Sequence, residues 1–249
     1  MKILYGDIKE KIEGRPVKII GLGGIGCPVS LYLSKFLYGL NSSSMIYLID
    51  GDEFELANKE RMAFTEIGKK ALIKEQELAE FFGERVNYRS ISDYVTHTNI
   101  QNLINENDIV FLCVDNHKTR KLISEFCERF SDVLLISGGN DGIEDGKTGT
   151  FGNVQVYWRE NDKNRTNSLI QFHPETMDPK DVSPGDEKEE SCAVLVKRVP
   201  QLAFTNLAVA SAMLNTFFIW ASGKLNYEEL YLDILKAKMV VTAREVNQE

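Results

Sequence analysis

Val17-Lys-Ile-Ile20-Gly21-Leu-Gly23-Gly24-Ile-Gly26 decides how the rest of the chain is read. A short β-branched run stops at Gly21, and helical spacing of apolar residues then holds from Gly26 to Tyr38, with Gly39 as the expected C-cap. A buried strand that turns into a helix through glycines is the opening of a βαβ unit. Working outward, Met45-Ile-Tyr-Leu-Ile49 predicts a second strand, ending at Asp50. Further strands are predicted at Val86–Ile91, Asp108–Val114 and Val133–Ser137. Helices are predicted from Glu66 to Phe82, closed by Gly83, and from His117 to Phe130. This alternation implies an α/β fold, a Rossmann-like, mostly parallel sheet with helices on both faces. An alternating strand at Gly149–Trp158 and a hairpin over Leu230–Thr242 extend it by antiparallel strands near the C-terminus. No repeat or internal boundary is visible, so residues 1–249 are read as one domain. A polar crossover loop at about 160–191, punctuated by Pro174, Pro179 and Pro184, lies inside it.

The 249 residues carry 29 Lys+Arg against 37 Asp+Glu, a formal net charge of −8. An acidic chain without a basic stripe is not built as a general nucleic-acid binder. Seven acids and two lysines fall between positions 175 and 190, so most of the excess belongs to one loop, either a solvated tether or a surface that steers a basic partner. Cys27, Cys113, Cys127 and Cys192 form no CxxC pair, which argues against a disulfide scaffold and against a zinc knuckle. Reduced thiols, with no apolar leader in MKILYGDIKEKIEGRP, fit a cytoplasmic protein. Ala203 to Trp220 is apolar enough to be mistaken for a membrane span. It carries Thr205, Asn206, Ser211, Asn215 and Thr216, which makes a buried or dimer-interface helix the better reading, and no membrane partner is expected.

The glycines of the first turn would let backbone N–H groups approach phosphate, and the helix N-terminus favours negative charge. An acid closing the second strand, here Asp50, suits ribose hydroxyls. So far an NAD enzyme fits as well as an ATP enzyme. The next stretch, Asp50-Gly-Asp52-Glu-Phe-Glu55-Leu-Ala-Asn58-Lys-Glu-Arg61, separates them. A dehydrogenase has no need of a second carboxylate, an amide and an arginine at fixed offsets. Cleavage of ATP between its α- and β-phosphates needs a carboxylate for Mg²⁺ and cations on the phosphates.

Taken in order, GxGGxG, DxDxxxxxNxxR and the CxDN of Cys113-Val-Asp115-Asn116 resemble the ubiquitin-activating superfamily, which includes the ThiF and MoeB adenylyltransferases. The likeness spans about residues 17 to 242 and is specific as a set. Within it, the FFG after the second helix and the late Ser-Cys are most similar to the ThiF-like proteins of PRTRC gene clusters. The resemblance implies ATP and Mg²⁺ as cofactors. Gly21, Gly23, Gly24 and Gly26 would line the phosphate turn, and Asp50 would hold the ribose. Asp52 and Asn58 would shape the pocket, and Arg61 would contact the phosphates as an arginine finger in cis. Asp115 would coordinate Mg²⁺ near the α-phosphate, with Asn116 in the same pocket. For the family's phosphate-binding lysine, counting back from Phe82 selects Lys70 and counting forward from Arg61 selects Lys74. Gly-x-Lys-Ala favours Lys70. The family's paired CxxC motifs are missing, so no structural zinc is expected. The Arg-Tyr-x-Arg-Gln run that reaches a neighbouring subunit is missing too, and Arg15 is the one arginine before the phosphate turn.

Cys192 stands in Glu-Ser-Cys-Ala-Val after the acidic loop, with Lys197 and Arg198 nearby. It is a candidate thioester nucleophile, with a structural thiol the equal alternative. The expected activity is adenylation of the C-terminal glycine carboxylate of a ubiquitin-like or sulfur-carrier β-grasp protein. Transfer to Cys192, a conjugating enzyme and a homodimer formed through the C-terminal helix are further expectations. Three alternatives stay open: a non-protein or tRNA-linked carboxylate as substrate, a non-catalytic nucleotide-binding module, and an NAD-dependent oxidoreductase. His97, His117 and His173 show neither triad nor metal spacing.

Overall fold

In the computed structural model, residues 5–56, 59, 64–144, 146–171, 173–181 and 201–243 are described. The chain runs α1 (Tyr5–Ile12), β1 (Val17–Ile20), α2 (Gly26–Leu40), β2 (Met45–Ile49) and a short hairpin of β3 (Glu53–Phe54) with β4 (Gly68–Lys69). There follow α3 (Lys70–Phe82), β5 (Asn87–Ile91), α4 (Ile100–Leu103), β6 (Ile109–Leu112), α5 (His117–Cys127) and β7 (Val133–Asn140). A second small hairpin, β8 (Ile143–Glu144) with β9 (Lys147–Thr148), leads into β10 (Phe151–Glu160). The remaining elements are β11 (Lys163–Asn164), α6 (Pro174–Met177), α7 (Ala203–Ala221), β12 (Tyr227–Asp233) and β13 (Lys238–Ala243).

The sheet is ordered β13-β12-β10-β7-β6-β1-β2-β5, with β11 paired to β10. The five strands from β7 to β5 are parallel, and β10, β12 and β13 continue the sheet antiparallel. This is the predicted α/β fold with its antiparallel extension. β1 and β6 are buried along their whole length, as central strands covered on both faces must be. One face is apolar through Ile19, Leu48, Phe111, Ile136 and Val156 and packs with α2 and α7. The other, through Ile20, Val110, Leu112 and Leu135, packs with Ile123 and Cys127 of α5.

α7 is long and apolar enough to cross a membrane by length and composition alone. Here it lies on β7 and β10 with Val209, Met213, Phe217 and Trp220 buried. Three of its polar residues, Thr205, Asn206 and Thr216, are buried, with Thr205 Oγ1 donating to Gly149 O at 2.6 Å and Thr216 Oγ1 to Ala212 O at 2.8 Å, while Ser211 and Asn215 are exposed. Phe204 and Leu207 stay exposed on the opposite side.

Several boundaries differ from the sequence reading. The second helix starts at Lys70, not Glu66, because Gly68 takes φ +145° and pairs with Phe54 as a strand. α2 passes through Gly39 and is closed by Asn41 in the left-handed region, whose N–H bonds Leu37 O and Tyr38 O. β7 runs on to Asn140 because β10 pairs with it over its full length. α5 stops at Cys127 rather than Phe130. The stretch expected as a loop from 160 holds β11 and α6, while residues 182–190 lie outside the described residues.

Candidate functional site

The chain leaves β1 toward β2 and β5 on one side and returns to β6 on the other. The carboxyl ends of β1 and β6 therefore flank a topological switch point, the place where open α/β sheets bind ligands. Gly21 sits there at φ +89°, its N–H donating to Ile49 O at 2.9 Å. A Cβ on Gly21 would come within 2.9 Å of the Cys113 carbonyl, and one on Gly26 within 1.8 Å of Gly21 O. These two glycines are dictated by the turn itself. Gly24 is dictated by a neighbour, since its Cβ would lie 2.1 Å from Asn206 Nδ2 of α7. Gly23 O accepts from Cys27 N–H at 3.1 Å. The N-terminus of α2 has no side-chain cap and no acid in its first turn, so its donors and dipole suit a phosphate.

Asp50 braces this turn. Its Oδ2 accepts from Leu22 N–H at 2.5 Å and its Oδ1 from Asp52 N–H at 2.8 Å. Burial pushes its carboxyl above the ordinary range, and the nearby Lys70 opposes that shift. Asp52 bonds Lys70 Nζ at 2.7 Å through Oδ2 and the Tyr94 hydroxyl through Oδ1. The Tyr94 ring lies against Gly51, where a Cβ would stand 2.6 Å from it.

The two candidate lysines therefore part company. Lys70, buried at the head of α3, joins the Asp50/Asp52 cluster. Lys74 pairs with Glu77, lies 4.5 Å from the Phe64 ring centroid, and lines a cleft of about 610 Å³ between α2, α3 and α7 that reaches Gly24 of the turn. Cys27 lines the same cleft, but burial raises its thiol to about 12, which keeps it protonated and inert. Arg15 is far from this end of the sheet: its Nε donates to Asn107 O at 2.9 Å and its guanidinium lies over Trp220.

Asp115 follows β6 and is exposed, with no hydrogen bond or ion pair to any described residue. A lone open carboxylate fits Mg²⁺ that arrives on nucleotide phosphates, which needs only one or two protein carboxylates. Among the described residues no group of three or more His, Cys, Asp or Glu could hold a metal by itself. Asn116 is the N-cap of α5, its Oδ1 accepting from Thr119 N–H at 2.8 Å. Asp181 covers the same helix end, accepting from His117 N–H and, at 3.1 Å, from Lys118 N–H. Asn58, Arg61 and Cys192 lie outside the described residues.

Sequence reasoning missed Tyr94 and Arg120. Arg120 is buried on α5, and its guanidinium bonds Val114, just past β6, and Ser137 and Gly138 within β7. The signal was present, because Arg120, Ile123, Ser124 and Cys127 form the helix's buried stripe, where a cation needs a reason.

A glycine turn on an uncapped helix, two acids closing the next strand and an open carboxylate across the switch point define a nucleotide-binding α/β protein. The sequence matches the profile of the ThiF family over residues 2–247, and the chain belongs to that family. It is 26% identical over 141 residues to Protein HesA of Leptolyngbya boryana, covering 55% of this chain and 49% of that one. It is 28% identical over 120 residues to the adenylyltransferase and sulfurtransferase uba4 of Pyricularia oryzae, covering 47% of this chain and 24% of that one. The chain thus spans about half of the first relative and a quarter of the second. In structure it is similar to E. coli MccB crystallised with ATP, with a TM-score of 0.69 and 17% identity over 96% of this chain and 66% of that one.

Proposed function

We propose that this chain adenylates a carboxylate, with ATP as the nucleotide. The observation that carries the reading is the convergence at one switch point of the uncapped α2 turn, the Asp50–Asp52–Lys70 cluster and the open Asp115. The substrate carboxylate oxygen attacks the α-phosphorus, the bond to the β-phosphate oxygen breaks, and pyrophosphate leaves behind an acyl-adenylate. The α2 turn binds phosphate oxygens, and Asp50 keeps the turn in shape while offering its remaining lone pairs to the ribose. Lys70 exchanges Asp52 for a phosphate oxygen when nucleotide enters. Asp115 and the phosphates would hold Mg²⁺, which supplies charge neutralisation at the α-phosphorus. Arg61 and Asn58 complete the pocket on the strength of the sequence motif.

The family membership and the relation to uba4 support a protein or peptide substrate, and we take it to be the C-terminal glycine of a ubiquitin-like or sulfur-carrier protein. Acyl transfer to Cys192, a cytoplasmic location and the PRTRC-type affiliation are parts of the same proposal. So is a homodimer, which the exposed Phe204 and Leu207 of α7 support. The test is ATP–pyrophosphate exchange with a panel of glycine-terminated β-grasp proteins. Exchange is expected with at least one of them and is expected to fall at least about a hundredfold in Asp115→Ala, as for loss of a principal transition-state contact. Undiminished exchange in Asp115→Ala would refute the assignment.

A further inference from the structure

Arg120 stands one turn into α5, with 8% of its surface exposed. Its Nη1 donates to Ser137 Oγ at 2.6 Å, and its Nη2 to Val114 O and Gly138 O at 2.7 Å each. The Val114 carbonyl belongs to the peptide bond that leads into Asp115. The guanidinium thus grips the link that sets the direction in which Asp115 leaves the sheet. Room for it comes from Gly139, where a Cβ would lie 3.0 Å from Arg120 Nη2 and 3.0 Å from Asn153 Oδ1.

The electrostatics are unusual for a strand staple. Burial works against the charged form of Arg120, and the charges of the Asp115, Asp181 and Glu175 carboxylates oppose that effect. Its three hydrogen bonds to described residues all go to neutral acceptors. Two strand ends can be tied by a neutral amide at much smaller desolvation cost. A buried cation held by backbone carbonyls beside an open carboxylate keeps its field for what gathers there.

We propose that Arg120 is a positioning residue of the nucleotide site: it fixes the Val114–Asp115 peptide and holds the Asp115 carboxylate in the orientation that receives a nucleotide-bound divalent cation. This rests on the nucleotide reading above and adds to it a residue that touches neither nucleotide nor metal. The probe is Mn²⁺ with α,β-methylene ATP, read by electron paramagnetic resonance on the full chain. Nucleotide affinity in chelator and the unfolding midpoint are measured alongside. In Arg120→Gln, Mn²⁺ affinity in the presence of the nucleotide should weaken about tenfold or more, the scale seen when a group orienting a metal ligand is removed. Affinity for the metal-free nucleotide should change by less than about threefold. Arg120→Lys keeps the charge without the fork and should fall between the two. Equal weakening with and without metal, in step with a lower unfolding midpoint, would make Arg120 a strand staple and overturn the proposal. So would unchanged Mn²⁺ affinity in Arg120→Gln. Failure of the wild-type chain to bind the metal–nucleotide pair would overturn the nucleotide reading itself, and the proposal with it.

Discussion

β1 and β6 lie side by side and carry charge at both tips, but the two tips treat it differently. At the amino tip, Lys18 and Asp108 are buried and face each other at 3.7 Å, and Lys18 Nζ lies 3.4 Å from the Tyr47 ring centroid. Lys11 and Arg15 cover Trp220 next to them. The charges there face one another or a ring, and Asp108 Oδ1 is buried with no hydrogen-bond partner among the described residues. At the carboxyl tip, Asp115 is open and Arg120 is held by neutral carbonyls. Asp50 accepts from the backbone and Asp52 from the buried ammonium of Lys70. The charges of the amino tip are enclosed by the fold, whereas at the carboxyl tip Asp115 stays open to what binds.

Breaking the amino-tip pair should give the largest effect. Lys18→Met leaves Asp108 buried without its cation and should lower unfolding free energy by about 3–5 kcal/mol at pH 8. Urea titration would measure it, with affinity for α,β-methylene ATP unchanged in the folded protein. A loss of affinity without a loss of stability would erase the distinction between the tips. Gly26→Ala attacks the other tip. Its Cβ meets Gly21 O, so stability should fall by about 1–3 kcal/mol. Nucleotide affinity should fall by at least about tenfold, which calorimetric titration would register. The smallest effect concerns pH. Burial raises the Asp108 carboxyl to about 6, so the native chain holds this proton more tightly than the unfolded one. Its contribution to stability is therefore full below the ordinary carboxylate range and is lost as pH rises through about 6. Asp108→Asn should flatten that part of the stability–pH curve relative to wild type, and an unchanged slope would show that Asp108 does not titrate as its surroundings imply.

The parallel half of the sheet was legible because buried central strands must be continuous apolar runs, and Met45–Ile49 is bounded where the sequence reading put it. The glycine turn was legible because sterics leave Gly21 and Gly26 little alternative. The start of α3 was not, since a periodic apolar pattern continues through Glu66–Lys69 while a single φ at Gly68 turns that stretch into a strand. Counting along the chain could not choose between Lys70 and Lys74. The choice depends on which acid each side chain meets, Asp52 or Glu77. Arg120 is legible as a cation on the stripe of Ile123 and Cys127, but its partners Val114, Ser137 and Gly138 lie in or just past strands that only the packed sheet brings to it. Asn58, Arg61 and Cys192 rest on motif resemblance.

The contact between Gly24 and Asn206 bears on how this sequence can drift. The two positions are 182 residues apart, yet the Asn206 amide fills the space a side chain at 24 would need, and it is held there by Asn140 Nδ2 at 2.8 Å. Position 24 is thus open to anything larger than glycine only in a background where position 206 has first become smaller. A substitution harmful by itself becomes acceptable after a change at a distant site, and the order in which the two occur decides whether the path is passable. Libraries that randomise the phosphate turn alone will recover glycine at 24 and mistake a packing constraint from α7 for a demand of the nucleotide.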